Sequence, residues 1–151
     1  MKFIHLKASL FLATSLFIYS CDKNTPEPPP LGTVVGLTAA LNGANEVPAN
    51  TSAATGTATG SYDKVSKVIT LTVSYAGVAA NNMHIHKGPA GVAGGVIFPL
   101  GRAPYTSPMT FTTPSLSVAQ EDSLMNKLYY VNVHSATFPA GEIRGQLVVA
   151  Q

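Results

Sequence analysis

His84-Ile85-His86 is the stretch of this sequence best suited to chemistry. On an extended strand, residues two apart project to the same side, about 7 Å apart at their α-carbons, and two imidazoles so placed can hold one cation. His134 ends the segment Tyr129–His134, and Glu142 follows it. Three neutral imidazoles, with Glu142 or a water as fourth ligand, suit zinc or copper. Whether His134 meets the pair depends on strand order, which one sequence does not give. The alternative is that these histidines hydrogen-bond backbone or tyrosine hydroxyls beside the Gly88-Pro89 loop. Glu46, in Asn45-Glu46-Val47-Pro48, is a lone acid in a polar turn and reads first as a turn-stabilising hydrogen-bond partner, with a ligand or a partner for Arg102 or Arg144 as the alternatives. Glu142 and Arg144 lie two apart on one face and read as a surface ion pair, worth under about 1 kcal/mol when exposed, or as having cross-strand partners.

The elements that must position these residues are strands. Val34–Leu41, Thr55–Tyr62, Lys67–Tyr75, Met83–His86, Gly95–Leu100, Met109–Thr112, Leu128–His134 and Glu142–Val149 are short, β-prone and punctuated by Gly, Pro and Asn. Alternation sends Met83, Ile85, Tyr129, Val131, Val133, Ile143 and Leu147 inward. It sends His84, His86, Tyr130, Asn132, His134, Glu142, Arg144 and Gln146 outward. Ser117 to Lys127 breaks the pattern: Ser117 with Gln120 forms a capping box, which predicts one short helix. The expected fold is all-β, an antiparallel immunoglobulin-like or Greek-key sandwich.

The N-terminal segment carries a second kind of chemistry. Lys2 and Lys7 precede an apolar run from Ala8 to Tyr19, followed by Ser20 and the sole cysteine, Cys21. This order is that of a secretory leader, and Ile18-Tyr19-Ser20-Cys21 resembles a bacterial lipobox. The resemblance implies cleavage before Cys21 and diacylglycerol on its sulfur, with the lipid bilayer as partner. The run is shorter than the roughly 20 residues a spanning helix needs. Residues 1–20 thus read as signal peptide, 21–33 as lipidated cysteine and proline-rich tether, and 34–151 as one domain. Losing Lys2 and Lys7 with the leader leaves seven basic against seven acidic side chains. No basic footprint for nucleic acid remains.

Longer blocks carry a family resemblance. Leu41-Asn42-Gly43-Ala44-Asn45-Glu46-Val47-Pro48, Ala54-Thr55-Gly56-Thr57-Ala58, His84-Ile85-His86-Lys87-Gly88-Pro89-Ala90 and Tyr130 through Leu147 resemble a CHRD domain, the module named for chordin and also found in bacterial secreted proteins. The resemblance spans about Leu37 to Val149. It implies an immunoglobulin-like β-sandwich outside the cell and no established activity. Lys87 departs from the usual pattern and sets a cation beside the histidines. The His-x-His strand is also similar in spacing to copper,zinc superoxide dismutase. That family's further ligands and disulfide are missing here, so dismutase activity is not expected.

Together these readings predict a lipid-anchored lipoprotein of the bacterial envelope, periplasmic or surface-exposed, on the outer membrane rather than the inner. Its domain is expected to be a non-enzymatic binding module for an envelope ligand. The alternative is a copper- or zinc-binding protein using His84, His86 and His134. Neither a Gly-x-Ser-x-Gly nor a His-Glu-x-x-His motif exists, nor a phosphate loop. Glu46 with Glu142 is the one carboxylate pair an enzyme acting on envelope polymers could use.

Overall fold

The computed structural model describes residues 32–150. The leader, Cys21 and the tether up to residue 31 lie outside the described residues. The strands are β1 (Val34–Asn42), β2 (Thr55–Asp63), β3 (Val68–Ala76), β4 (Ala80–Lys87), β5 (Gly95–Pro99), β6 (Met109–Thr112), β7 (Tyr129–Ser135), β8 (Ile143–Gln146) and β9 (Val148–Val149). The helix α1 covers Val118–Met125. Among the described residues the chain is therefore all-β with one short α-helix, as its patterning predicts.

The strands join in one antiparallel sheet of order β5-β4-β7-β8-β1-β2-β3-β6, with β9 also on β1. The sheet curls so that inner residues of all its strands share a single core, with Val149 of β9 packed at its margin. Met83, Ile85, Tyr129, Val131, Val133, Ile143 and Leu147, all assigned inward by alternation, are fully buried there. β2 runs between β1 and β3. Its inward positions Gly56, Ala58, Gly60 and Tyr62 lie opposite Leu41, Ala39, Leu37 and Val35. A Cβ at Gly60 would run into the Thr70 carbonyl of β3. Glycine is required where two backbones approach this closely.

The seam between β8 and β1 is narrow, a single pairing of Asn42 with Arg144. The one strand expected over Glu142–Val149 is in fact two. Leu147 is buried and its N–H donates to the Tyr129 carbonyl at 2.8 Å, after which β9 moves across to pair with Leu37 and Thr38 of β1. A strand that serves two neighbours in turn must break its regular pairing between them. In α1 the Ser117 hydroxyl accepts from the Gln120 N–H and the Gln120 side chain accepts from the Ser117 N–H, completing the expected capping box. The helix stops two residues early, because Lys127 adopts a left-handed backbone at φ 58°.

Candidate metal centre

The site lies on the outer side of β4, β7 and β8. Antiparallel register sets His84 opposite Asn132 and His86 opposite Tyr130, while Asn132 also faces Arg144 and Tyr130 faces Gln146. His134 pairs with Asn82, one step beyond a bulge in β4. Strand order thus supplies what the sequence left open: β7 is the neighbour of β4 and carries the third imidazole to the first two.

This side was expected to face water, and it does not. Tyr130, Asn132, His134, Glu142 and Arg144 are all buried, Asn132 and Arg144 to 2 % exposure. Residues 43–50, 88–94 and 136–141 fold over it and are tied down by its side chains. Asn45 Nδ2 donates to the Arg144 carbonyl at 3.1 Å, and Asn50 Nδ2 donates to the carbonyls of Gly141 and Glu142 at 3.2 and 3.0 Å. Gln146 Nε2 donates to the Gly88 carbonyl at 3.0 Å. The Asn50 amide is committed to these bonds.

Ligand-capable nitrogens of His84, His86 and His134 lie within 4.8 Å of one another. His84 Nδ1 and His134 Nε2 are 3.1 Å apart. An ion with bonds near 2 Å holds tetrahedral nitrogens about 3.4 Å apart. The closer pair is already near that spacing, and the wider separations stay within 4.8 Å. The opposite ring nitrogens are clamped. His134 Nδ1 donates to the Pro139 carbonyl at 3.0 Å and His86 Nδ1 to the Gly94 carbonyl at 2.9 Å. A carbonyl only accepts, so each Nδ1 carries the proton and each Nε2 presents a lone pair. Metal-binding histidines are oriented in this way by backbone carbonyls. His86 Nε2 is buried with no hydrogen-bond partner among the described residues.

The electrostatics favour the neutral rings that metals require. Burial lowers the pKa of all three. For His84, burial with the neighbouring His134 and His86 brings it to about 4. His86 is lowered by burial, with His134 and Arg144 adding to the effect, and His134 by burial. In both, the bond to a backbone carbonyl pulls the other way.

The other sequence candidates go elsewhere. Glu142 is not in the histidine group; its Oε1 accepts from the Ser52 hydroxyl at 2.7 Å. Glu142 and Arg144 are buried rather than an exposed ion pair, because the three covering segments close over them. Arg144 Nη2 donates to the carbonyls of Pro89 and Val92 at 3.1 and 2.9 Å, and its guanidinium lies 3.4 Å above the Tyr130 ring. Glu46 pairs with neither Arg102 nor Arg144; it accepts from Asn132 Nδ2 at 2.6 Å. Burial raises its pKa to about 7, against the pull of Arg144 and the Val47 N–H. Gly141 makes this meeting possible: at φ 139°, a Cβ there would strike both Asn132 and the Glu46 carboxylate. Lys87 is exposed at the end of β4, one residue out of phase with His86.

Two residues carry roles that sequence reasoning missed. Tyr130 stacks on His86, 4.9 Å between centroids and 12° between planes, and its hydroxyl meets Gly94. Asn132 holds Glu46. Their outward parity was legible, but the cover that turns an outward residue into a buried one was not.

The CHRD domain model matches residues 37–147. No curated protein and no solved structure is significantly similar to the chain. The matched span takes in the histidine cluster, the segments folded over it and the whole sheet from β1 to β8. The chain belongs to the CHRD domain family.

Proposed function

We propose that this chain is an extracytoplasmic binding module of the bacterial envelope, tethered by lipid on Cys21, whose domain holds one copper or zinc ion through His84, His86 and His134. The observation that carries this reading is His86 Nε2, a buried lone pair without a donor, within ligand spacing of two further imidazoles whose mutual His84 Nδ1–His134 Nε2 hydrogen bond an ion would replace. A buried acceptor left unsatisfied costs about 1–3 kcal/mol, and an ion removes that cost. The fourth position falls to water or to an envelope ligand, since Glu142 is engaged by Ser52. A binding role rather than catalysis is supported by the separate engagement of Glu46 and Glu142 with Asn132 and Ser52. The narrow β8–β1 seam supports treating the sheet's two halves as layers of an immunoglobulin-like Greek-key sandwich around the shared core.

The test is metal content. Full-length protein dialysed against copper or zinc and analysed by mass spectrometry should retain one ion, and His84→Ala/His86→Ala should retain none. Substoichiometric metal that is unchanged in the double variant would remove the reading. Separately, Cys21→Ser should shift the protein from the membrane to the soluble fraction; an unchanged distribution would remove the lipid anchor and leave the metal site standing.

A further inference from the structure

Beside the histidine cluster, on the other side of Tyr130, is a cavity of about 240 Å³ with Arg144, Glu46, Asn45 and Gln146 in its walls and the exposed Ala44 and Ala90 at its rim. It is smaller than the roughly 300–1,000 Å³ of pockets for drug-sized molecules, so it suits a small group or the end of a chain.

Arg144 defines its chemistry. The side chain is 2 % exposed, and no acidic group lies within ion-pair distance of it among the described residues. Glu46 acts on it only at longer range, and a buried cation without a counter-ion in contact is unfavourable. The guanidinium is also fixed in place. Nη2 is held by two backbone carbonyls and the plane is held by Tyr130, while Nη1 and Nε have no hydrogen-bond acceptor among the described residues. These free N–H groups belong to a residue that lines the cavity.

We infer that the cavity is a carboxylate-binding site in which Arg144 receives the anion, distinct from the proposed metal centre and independent of it. A rigid guanidinium with unused donors is the side-chain group best matched to a carboxylate. Glu46 shares the cavity wall and sets the upper limit on affinity. Burial keeps it partly protonated near neutrality, so it repels an incoming anion less than an ordinary glutamate would.

N-acetylglycine is a suitable probe, with its uncharged analogue N-acetylglycinamide as the control. Calorimetric titration of full-length protein, stripped of metal by a chelator, should give saturable binding of the acid and at least about tenfold weaker binding of the amide. Arg144→Gln should weaken the acid by about tenfold or more. Because Arg144 also holds the 88–94 segment, Ala90→Leu supplies a second variant that fills the rim from an exposed position, and it too should abolish binding. Glu46→Gln keeps the acceptor for Asn132 while removing the negative charge, so it should tighten the acid severalfold, the opposite of what damage to the fold would do. Absence of saturable binding, equal binding of acid and amide, or binding indifferent to both Arg144→Gln and Ala90→Leu would overturn the assignment.

Discussion

The sheet's two halves share one core and differ in what they do with the other side. In β2, β3 and β6 the outward positions Thr57, Thr59, Thr70 and Thr110 remain exposed. In β4, β7 and β8 the equivalent positions hold three histidines, Tyr130, Asn132 and Arg144, and they are closed over by three loops. Alternation alone makes the halves look alike, apolar inward and polar outward. The covering segments make them different: hydroxyls in water need no partners, while buried imidazoles, amides and a guanidinium need every one. The open half presents hydroxyls to water, and the covered half gathers the buried imidazole, amide and guanidinium groups.

The comparison first requires that the inner sides be equivalent. Leu71→Ala in β3 and Ile85→Ala in β4 each remove a fully buried aliphatic side chain from the same cluster. Each should lower stability by about 2–5 kcal/mol, read by denaturant unfolding followed by circular dichroism. If one cost several times the other, the two halves would not share a core.

The outer sides should then diverge, and Glu46 shows it most strongly. Its ordinary pKa of 4.5 is raised to about 7, so the folded protein binds this proton more tightly than the unfolded chain. Its contribution to stability is complete below about pH 4.5 and is lost as pH rises through about 7. Glu46→Gln should therefore stabilise the protein by up to about 3 kcal/mol near pH 8 and change little near pH 4. A difference that does not vary with pH would mean that the carboxylate is better solvated than the cover implies. Asn132→Ala removes the donor to Glu46 and should cost about 1–3 kcal/mol. Thr59→Ala, at an exposed position of the open half, should stay within about 0.5 kcal/mol.

How much of this the sequence disclosed follows the same division. Strand positions, the helix with its Ser117 cap and every inward residue from Met83 to Leu147 were legible, because each rests on local periodicity or on contacts a few residues apart. The break at Leu147 was not, since it comes from β9 reaching β1 more than a hundred residues earlier in the chain. The histidines were legible as a pair plus one, and only strand order brought them together. Glu142 was misplaced as a ligand and Arg144 as an exposed ion-pair partner for one shared reason. Parity tells which side of a sheet a residue takes, but not whether a loop elsewhere in the chain will close over that side. The Asn45–Pro48, Gly88–Ala90 and Pro139–Gly141 blocks that carry the family resemblance are parts of those covering loops, a signal that could have pointed to a buried outer face.

The smallest effect belongs to a second carboxylate, Glu121, and its sign is the sharpest check on the comparison. Glu121 on α1 pairs with Lys67 of the open half at 3.2 Å, with both side chains partly exposed. Its pKa is lowered, first by hydrogen bonding to Lys67, the reverse of Glu46. Its contribution to stability is therefore present above the unfolded-state pKa and is lost as pH falls through the folded one. Glu121→Gln should slightly destabilise the protein near pH 7, have no effect in acid, and lose even its neutral-pH effect at high salt, because an ion pair in contact with water is screened. Glu46→Gln should stabilise at neutral pH and resist added salt, because its surroundings exclude solvent. Thermal unfolding of the two variants across pH, at low and high ionic strength, sets the opposite slopes side by side. If both slopes had the same sign, or if salt erased both, the outer side of β4, β7 and β8 would be as wet as the threonine side, and the distinction between the halves would fail.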